Sequence, residues 1–370
     1  MRVALVHDWL TGLRGGERVL HEHARLFPQA EVFTLVHVPG STTPEIEALP
    51  TTASPLSRWP GAARHYRKWL PLFPWAIGTL RIPPGTDLVL SSSHAVAKGI
   101  RPPPGAIHVC YCFTPMRYVW DQADAYLGTG AFRTLASPLV AGLRRWDVRT
   151  STPNRVHQFI AISETIRDRI RRHYDRDSEV IFPPVDVDRF QVSPEPREDF
   201  FLMVGGFVPY KRERLAIDAF RELGLPLVVA GDGPSRRALE AEAPDNIRFL
   251  GRVSDPELTD LYQRCRALVY PQEEDFGIIP VEAQATGAPV IAFGAGGASE
   301  TIVPLDDSRG RPPTGVHFQP QTASGLVDAV RTFEARRNEF ETKTIRAHAE
   351  AFSVPRFQRE MRAAIERAMA

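Results

Sequence analysis

Cysteines are few and long apolar runs are missing from this sequence, and each shortage limits what the chain can be. Its 370 residues include three cysteines, Cys110, Cys112 and Cys265. Three thiols cannot all pair, and Cys110-x-Cys112 lacks the second ligand pair of a zinc site. Buried free thiols in a reducing compartment are therefore the expectation. No stretch reaches the roughly 18 uncharged apolar residues that a membrane span needs.

The start of the chain lacks the pattern of a secretory leader. Met1 and Arg2 lead directly into the apolar run Val3–Val6, which His7 and Asp8 interrupt. This run is too short for the apolar segment of a signal peptide. It predicts a first β-strand, and we expect a cytoplasmic protein.

Lysine is also rare, with 4 Lys against 41 Arg, and the formal net charge is only +1. Nothing in the overall charge therefore points to nucleic acid. The charge is uneven, however: residues 1–190 carry 23 basic and 17 acidic residues, and the remainder carries 22 and 27. A basic half and an acidic half predict two domains, of which the basic one could face an anionic acceptor or a membrane surface.

Short apolar runs alternate with segments of helical periodicity along the whole chain, which predicts parallel sheets covered by helices. The pattern runs through twice, and a proline-rich break near 183–196 is the expected linker. We predict two Rossmann-like domains, 1–190 and 191–354, facing a central cleft, with 355–370 packing back on the first. The expected strands are Val3–Val6, Val32–Val36, Leu88–Leu90, Ile107–Tyr111, Phe159–Ala161, Phe200–Val204, Leu227–Ala230, Ile247–Leu250, Ala267–Tyr270, Val290–Phe293 and Val316–Phe318.

Two glutamates, Glu274 and Glu282, stand eight residues apart across a predicted loop and helix start. The loop follows a strand, so ligands are expected at this carboxyl edge. The free amides at Phe276, Gly277 and Ile278 predict an anion site at the helix N-terminus. Glu282 is suited to two adjacent ribose hydroxyls, and Glu274 to hydroxyls of a second sugar.

A second glycine-containing turn, Val204–Arg212, also follows a strand and opens a helix. Gly206 permits close backbone approach, and Lys211 is placed to reach a diphosphate. A lysine in a chain so rich in arginine suggests that a compact point charge is needed here.

In the first half, Gly15 and Gly16 form a turn that enters a helix and favours an anion. The turn is not G-x-G-x-x-G, so a dehydrogenase is the weakest alternative. His94 follows a strand within a serine-rich turn. Gly231 and Val253 follow two further strands and are expected at the same kind of edge.

Taken together, these motifs resemble the retaining GT-B glycosyltransferases of family 4, whose mark is Glu, seven residues, Glu. The segments Ser91–Gly99, Tyr111–Asp121 and Pro209–Arg212 are similar to bacterial mannosyltransferases that build surface polysaccharides. The resemblance covers nearly the whole chain. It implies a GT-B fold, retention of configuration, no metal, no cofactor, and a nucleotide-sugar donor bound mainly by the second domain, with GDP-mannose as the first candidate and UDP-sugars next.

The resemblance also implies roles for individual residues. His94 would contact a donor-sugar hydroxyl, the Gly15–Gly16 loop would lie against the diphosphate, and the backbone near Val253 would meet the base. An arginine usual in the family is Gly206 here, so either another cation compensates, with Arg212 and Arg214 as the candidates, or the phosphates are bound more weakly. The expected catalytic residues are His94, Glu274 and Lys211, and the expected acceptor-side residues are Lys98, Phe113, Arg117 and Asp121.

The segment Arg58–Trp75 mixes basic and aromatic residues. Such a mixture suits a membrane surface or a lipid-linked acceptor, and it equally suits an insertion that packs on its own domain. Peripheral attachment to the inner face of the membrane is thus one of two interpretations. A glycan or lipid-linked acceptor is the expected partner.

Other functions fit the same two-domain plan. A nucleotide-sugar epimerase or a glycosyl phosphorylase would isomerise the donor or depend on phosphate. A non-catalytic module would bind the nucleotide sugar without turnover.

Overall fold

The computed structural model describes residues 1–120 and 131–370. They form two compact units, Met1–Pro184 with Phe357–Ala370, and Val185–Arg356. The first unit ends at Pro184, earlier than the residue 190 expected from the proline-rich break. Each unit is built on a parallel sheet with helices, so the predicted α/β class with two Rossmann-like units is confirmed.

The first unit contains a seven-stranded sheet in the order β3-β2-β1-β4-β5-β6-β7, and every pairing is parallel. The central strands are buried along their length, as expected when helices cover both faces. The strands are β1 Val3–His7, β2 Glu31–Thr34, β3 Thr51–Ala53, β4 Leu88–Ser93, β5 Ile107–Cys112, β6 Gln158–Ala161 and β7 Ser178–Val180.

The helices of the first unit connect these strands. They are α1 Gly15–Leu26, α2 Pro44–Glu47, α3 Ala62–His65, α4 Phe73–Thr79, α5 Ala131–Arg149 and α6 Glu164–Tyr174. The region 51–84 holds β3, α3 and α4. Tyr66 and Phe73 of this region are buried in the core of their own unit.

The second unit contains a six-stranded parallel sheet in the order β10-β9-β8-β11-β12-β13. Its strands are β8 Phe201–Val204, β9 Leu227–Ala230, β10 Ile247–Gly251, β11 Ala267–Tyr270, β12 Val290–Phe293 and β13 Gly315–Phe318. Its helices are α7 Glu213–Leu223, α8 Arg236–Glu242, α9 Asp255–Arg264, α10 Ile278–Ala285, α11 Ala298–Thr301, α12 Ala323–Ala335 and α13 Thr342–Ala349.

The last helix, α14 Val354–Met369, belongs to the first unit from Phe357 onward. The Phe357 ring stacks on His23 at 5.7 Å between centroids, and Gln358 Nε2 donates to Glu22 at 2.6 Å. Near its end, Arg367 pairs with Glu179 at 2.6 Å. The predicted return of the C-terminal helix to the first domain is therefore confirmed.

Every strand predicted from an apolar run is present, and its bounds lie within two residues of those expected except for β4, which runs three residues beyond Leu90 to Ser93. The sequence missed β3 and β7, which are three-residue strands at the two edges of their sheet. An edge strand pairs with a neighbouring strand on one side only, and strands this short at an edge carry no apolar run that marks them in the sequence. Across the described residues, no helix combines the length and apolar character that crossing a bilayer requires.

Candidate functional site

In the second unit, Lys211 and Glu274 form a direct ion pair between Nζ and Oε1. The second carboxylate oxygen of Glu274 accepts a hydrogen bond from the buried Tyr270 hydroxyl at 2.5 Å. The side chains of Lys211 and Glu274 keep 12% and 25% of their surface exposed. The structure thus brings together two of the three predicted catalytic groups at an accessible edge, where β8 and β11 end.

The turn between Glu274 and α10 depends on glycine. Gly277 precedes α10 with φ of +85°, a left-handed conformation that disfavours other residues. A second loop lies so close to this turn that a Cβ on Gly296 or Gly297 would overlap the backbone of Glu274 or Phe276. The Gly297 N–H also donates to the Glu274 carbonyl oxygen at 2.8 Å. The backbone that carries Glu274 is therefore held from two sides.

Glu282 lies in the second turn of α10 and is 6% exposed. Its Oε2 accepts a hydrogen bond from Tyr262 of α9 at 3.2 Å. Glu282 is thus more deeply buried than Glu274, although each accepts a hydrogen bond from a tyrosine hydroxyl. Its predicted contact with a ribose remains a prediction.

The other donor-side residues lie where neighbouring strands end. Gly206 follows β8, Gly231 follows β9, and Val253 lies two residues beyond β10. The loops touch backbone to backbone: the Gly231 N–H donates to the Gly251 carbonyl at 2.7 Å, and a Cβ on Gly231 would overlap Gly205. Glycine is required here because no side chain fits between these loops.

The structure separates the two candidates for the cation that replaces the family arginine. Arg214 pairs with Asp218 and Glu242 on the surface of its own unit. Arg212, which has φ of +58°, is exposed and has no ion-pair partner within the described part of the chain. Of the two candidates, Arg212 is consequently the one whose guanidinium is not engaged with a carboxylate among the described residues.

In the first unit, Gly15 and Gly16 begin α1 beside the end of β1. A Cβ on Gly16 would lie 3.4 Å from the His7 ring and 3.6 Å from Phe113. The Phe113 ring is 6.2 Å from the ring of His94, centroid to centroid. The glycine turn, His94 and Phe113 thus meet at one edge of the sheet, as the strand order requires.

His94 keeps 19% of its side chain exposed and packs edge-on against Trp9 at 4.5 Å. Its carbonyl oxygen accepts a hydrogen bond from the Arg117 N–H at 3.3 Å. Burial, together with the positive charges of Arg117, Arg67 and Arg14, lowers the pKa of His94 to about 3. The imidazole is accordingly neutral at pH 7.

Lys98 does not occupy the expected acceptor-side position. It is 1% exposed, and its Nζ contacts the buried Asp147 Oδ1 at 2.6 Å and the Thr150 hydroxyl at 3.4 Å. Because these acceptors satisfy the ammonium inside the unit, Lys98 ties its loop to α5. Asp121, which was also expected on the acceptor side, lies outside the described residues.

Within residues 1–120 and 131–370 there is no cluster of three or more His, Cys, Asp or Glu side chains that could hold a metal ion. The three cysteines are buried and unpaired with one another. Burial raises the pKa of the Cys265 thiol to about 12, so it is not a nucleophile at pH 7.

Three residues around the two sites were missed by sequence reasoning. Tyr270 and Tyr262 contact the two glutamates, and Asp8 accepts hydrogen bonds from the loop that carries His94. Tyr270 and Asp8 end apolar strands, and in that position they cannot be told from ordinary core or turn residues.

Two family models cover most of the chain. Residues 13–189 match Glycosyltransferase Family 4, and residues 185–350 match Glycosyl transferases group 1. The two matches meet at the boundary between the structural units.

Curated relatives match over shorter segments. The O-antigen chain mannosyltransferase RfbU of Salmonella typhimurium is 33% identical over 37% of this chain and 42% of its own length. The O-antigen chain mannosyltransferase C of Escherichia coli is 32% identical over 30% of this chain and 34% of its own length. The chain therefore matches less than half of each of these relatives.

A solved structure is similar over nearly the whole length. The Anabaena protein HepE, crystallised with UDP, superposes with a TM-score of 0.70 and covers 99% of this chain and all of its own. The sequences are 17% identical, so this similarity shows the fold.

Proposed function

Because this chain is a glycosyltransferase of the GT-B type, we propose that it moves a hexose from a nucleotide sugar to a glycan or lipid-linked acceptor in cell-surface polysaccharide synthesis. The observation that carries this proposal is the contact among Lys211, Glu274 and Tyr270 at the carboxyl edge of the second sheet. Such an edge is where open α/β sheets bind ligands.

Lys211 supplies the positive charge that the reaction needs. Transfer breaks the bond between the sugar carbon and a diphosphate oxygen, so negative charge develops on the leaving group, where fixed positive charge stabilises the transition state. An ammonium has three N–H donors. Lys211 can thus keep its contact with Glu274 and still donate to a phosphate oxygen.

Each of the remaining donor-side residues contacts a different part of the nucleotide sugar. Glu274 accepts hydrogen bonds from hydroxyls of the transferred sugar, and Glu282 accepts hydrogen bonds from the ribose hydroxyls. The N–H groups at the start of α10 face the diphosphate, Arg212 adds a second cation, and the backbone near Val253 meets the base. Retention of anomeric configuration is part of the same proposal.

We propose GDP-mannose as the donor because two relatives are O-antigen chain mannosyltransferases. A UDP-sugar is the second candidate, since HepE binds UDP. A thermal-shift screen with GDP-mannose, UDP-glucose and ADP-glucose separates these donors, because a ligand that binds the native state raises its apparent stability. GDP-mannose is expected to give the largest shift, and a larger shift with UDP-glucose would reverse the order.

Turnover is tested by release of nucleoside diphosphate. Release that depends on an acceptor is the expected result. Donor isomerisation or dependence on phosphate would instead indicate an epimerase or a phosphorylase, and binding without turnover a non-catalytic module. Since Lys211 and α10 supply the positive charge, we propose that no metal is needed, and turnover should survive EDTA.

We further propose that the protein meets its acceptor at the inner face of the membrane. Three large apolar side chains of the segment Arg58–Trp75 are exposed, Trp59 at 41%, Leu72 at 37% and Trp75 at 50%. Arg64, Arg67 and Lys68 beside them are exposed as well. Sedimentation with vesicles containing anionic lipid should carry the protein down, and neutral vesicles should not.

A further inference from the structure

Asp8 is a buried carboxylate at the end of β1 that accepts hydrogen bonds from one short loop. Its two oxygens accept the N–H groups of four consecutive residues, His94, Ala95, Val96 and Ala97, at 2.7, 2.9, 2.7 and 2.7 Å. The residue is 0% exposed. Since each oxygen faces two N–H donors, a proton on either oxygen would have no acceptor, and the cage fits the ionised carboxylate.

The ring of His94 approaches the same carboxylate. Its Nδ1 lies 3.1 Å from Asp8 Oδ2. A carboxylate oxygen can only accept, and a bare Nδ1 at this distance would place two lone pairs against each other, so the contact favours a proton on Nδ1. In a neutral imidazole the other nitrogen, Nε2, then has a free lone pair and no proton.

Charges around His94 keep the ring from taking a second proton. Burial opposes the charged form, and the charges of Arg14, Arg67 and Arg117 act in the same direction on its pKa. His7, whose ring centroid is 6.4 Å away, has its own pKa lowered to about 4 by burial and is neutral as well. Asp8 is the carboxylate in contact with the His94 ring, and its oxygens are already engaged by N–H donors.

We propose that Asp8 is a positioning residue that anchors the 94–97 loop and holds His94 in the tautomer protonated on Nδ1, so that Nε2 is presented to a substrate hydroxyl as a hydrogen-bond acceptor. The inference rests on the proposed function in placing His94 at the sugar. It adds a direction to that contact: the sugar hydroxyl donates, and His94 accepts. A carboxylate that orients an imidazole through Nδ1–H is a known arrangement in catalysis.

The tautomer can be measured without substrate. In protein labelled with 15N-histidine at pH 7.5, the His94 signals are identified by their loss in His94→Ala. We expect one protonated nitrogen, Nδ1, and one bare nitrogen, Nε2, in the wild type. In Asp8→Asn, the preference for the Nδ1-protonated form should be lost. A wild-type ring protonated on Nε2, or on both nitrogens, would overturn the proposal.

A double-mutant cycle then tests whether Asp8 acts through His94. Donor turnover is measured as nucleoside diphosphate release in Asp8→Asn, His94→Ala and the double variant. Loss of the group that orients a metal-bound histidine typically costs about 10- to 100-fold, and we expect a loss of the same order for Asp8→Asn alone. In the His94→Ala background the same change should cost less than about 3-fold, because residues that act as a unit are not additive.

Equal losses in both backgrounds would mean that Asp8 acts on the fold alone, and would overturn the inference. If no donor is turned over by the wild type, the proposed function fails. The tautomer measurement still decides the Asp8–His94 contact in that event.

Discussion

In each unit a carboxylate lies where the parallel strands end, and the two carboxylates differ in their burial and in the groups that they bind. Asp8 is fully buried, accepts four backbone N–H groups of its own unit, and lies 3.1 Å from the His94 ring nitrogen Nδ1. Glu274 keeps 25% of its side chain exposed, accepts a hydrogen bond from the Tyr270 hydroxyl and pairs with the Lys211 ammonium. A carboxylate saturated by backbone groups fixes a loop, whereas one that shares an accessible edge with a cation can bind a ligand.

The largest predicted effect is a loss of stability at acid pH, which should be greater in the first unit than in the second. In the first unit His7, His23 and His108 are buried and His94 is partly buried, and burial lowers the pKa of His7 to about 4 and that of the other three to about 3. The unfolded chain binds these protons near pH 6.5 and the folded unit does not, so stability is full above pH 6.5 and falls below it. At pH 5.5 each histidine should cost on the order of 1 kcal/mol relative to pH 7.5.

This loss can be followed in the first unit alone because all six tryptophans precede residue 150. Urea unfolding monitored by tryptophan fluorescence should show a much lower midpoint at pH 5.5 than at pH 7.5. Hydrogen exchange in the second unit, where burial lowers the pKa of His317 and His348, should change less. Equal acid sensitivity in both units would contradict the assignment of this loss of stability to the histidines of the first unit.

The second effect is on catalysis in the second unit. Lys211→Ala and Glu274→Ala should each lower turnover by about 10²–10³, the typical cost of removing a preorganised charge contact. Circular dichroism and melting temperature should stay close to wild type. Lys343→Ala and Glu273→Ala, at exposed positions of the same unit, serve as matched controls. Near-normal turnover in both site variants would remove the mechanism.

The third effect is on stability in the first unit. Asp8→Ala removes the acceptor for four buried N–H groups, and each group left unsatisfied costs about 1–3 kcal/mol. We expect the free energy of unfolding to fall by at least about 3 kcal/mol, against less than about 1 kcal/mol for the exposed Asp87→Ala. Asp87 accepts one hydrogen bond, from the Arg2 N–H. Similar losses in the two variants would show that the Asp8 cage does not stabilise the loop.

The smallest effect distinguishes two neighbouring arginines. Arg212→Ala should raise the KM for the donor about 3- to 10-fold, as expected for an exposed charge on a phosphate. Arg214→Ala should leave KM unchanged, since Arg214 is engaged with Asp218 and Glu242. The opposite ranking would transfer the role to Arg214.

The sequence predicted the elements of the fold better than the contacts of the sites. Apolar runs located every central strand, because parallel strands under two helical layers must be apolar along their length. Glu274 and Lys211 were found by their position after strands. Lys98 was misassigned because its partner Asp147 lies 49 residues away, and no local pattern marks such a pair.

By itself, the sequence determined that the chain folds as two parallel α/β units and which loops lie at the carboxyl edges of the sheets, since both follow from local periodicity and the rules of parallel sheets. Only the tertiary structure decided which polar groups satisfy one another. Lys211 meets Glu274 across 63 residues, and Asp8 meets the 94–97 loop across more than 80. Such partners depend on strand order and side-chain packing, which bring distant residues within hydrogen-bond reach only after the chain has folded.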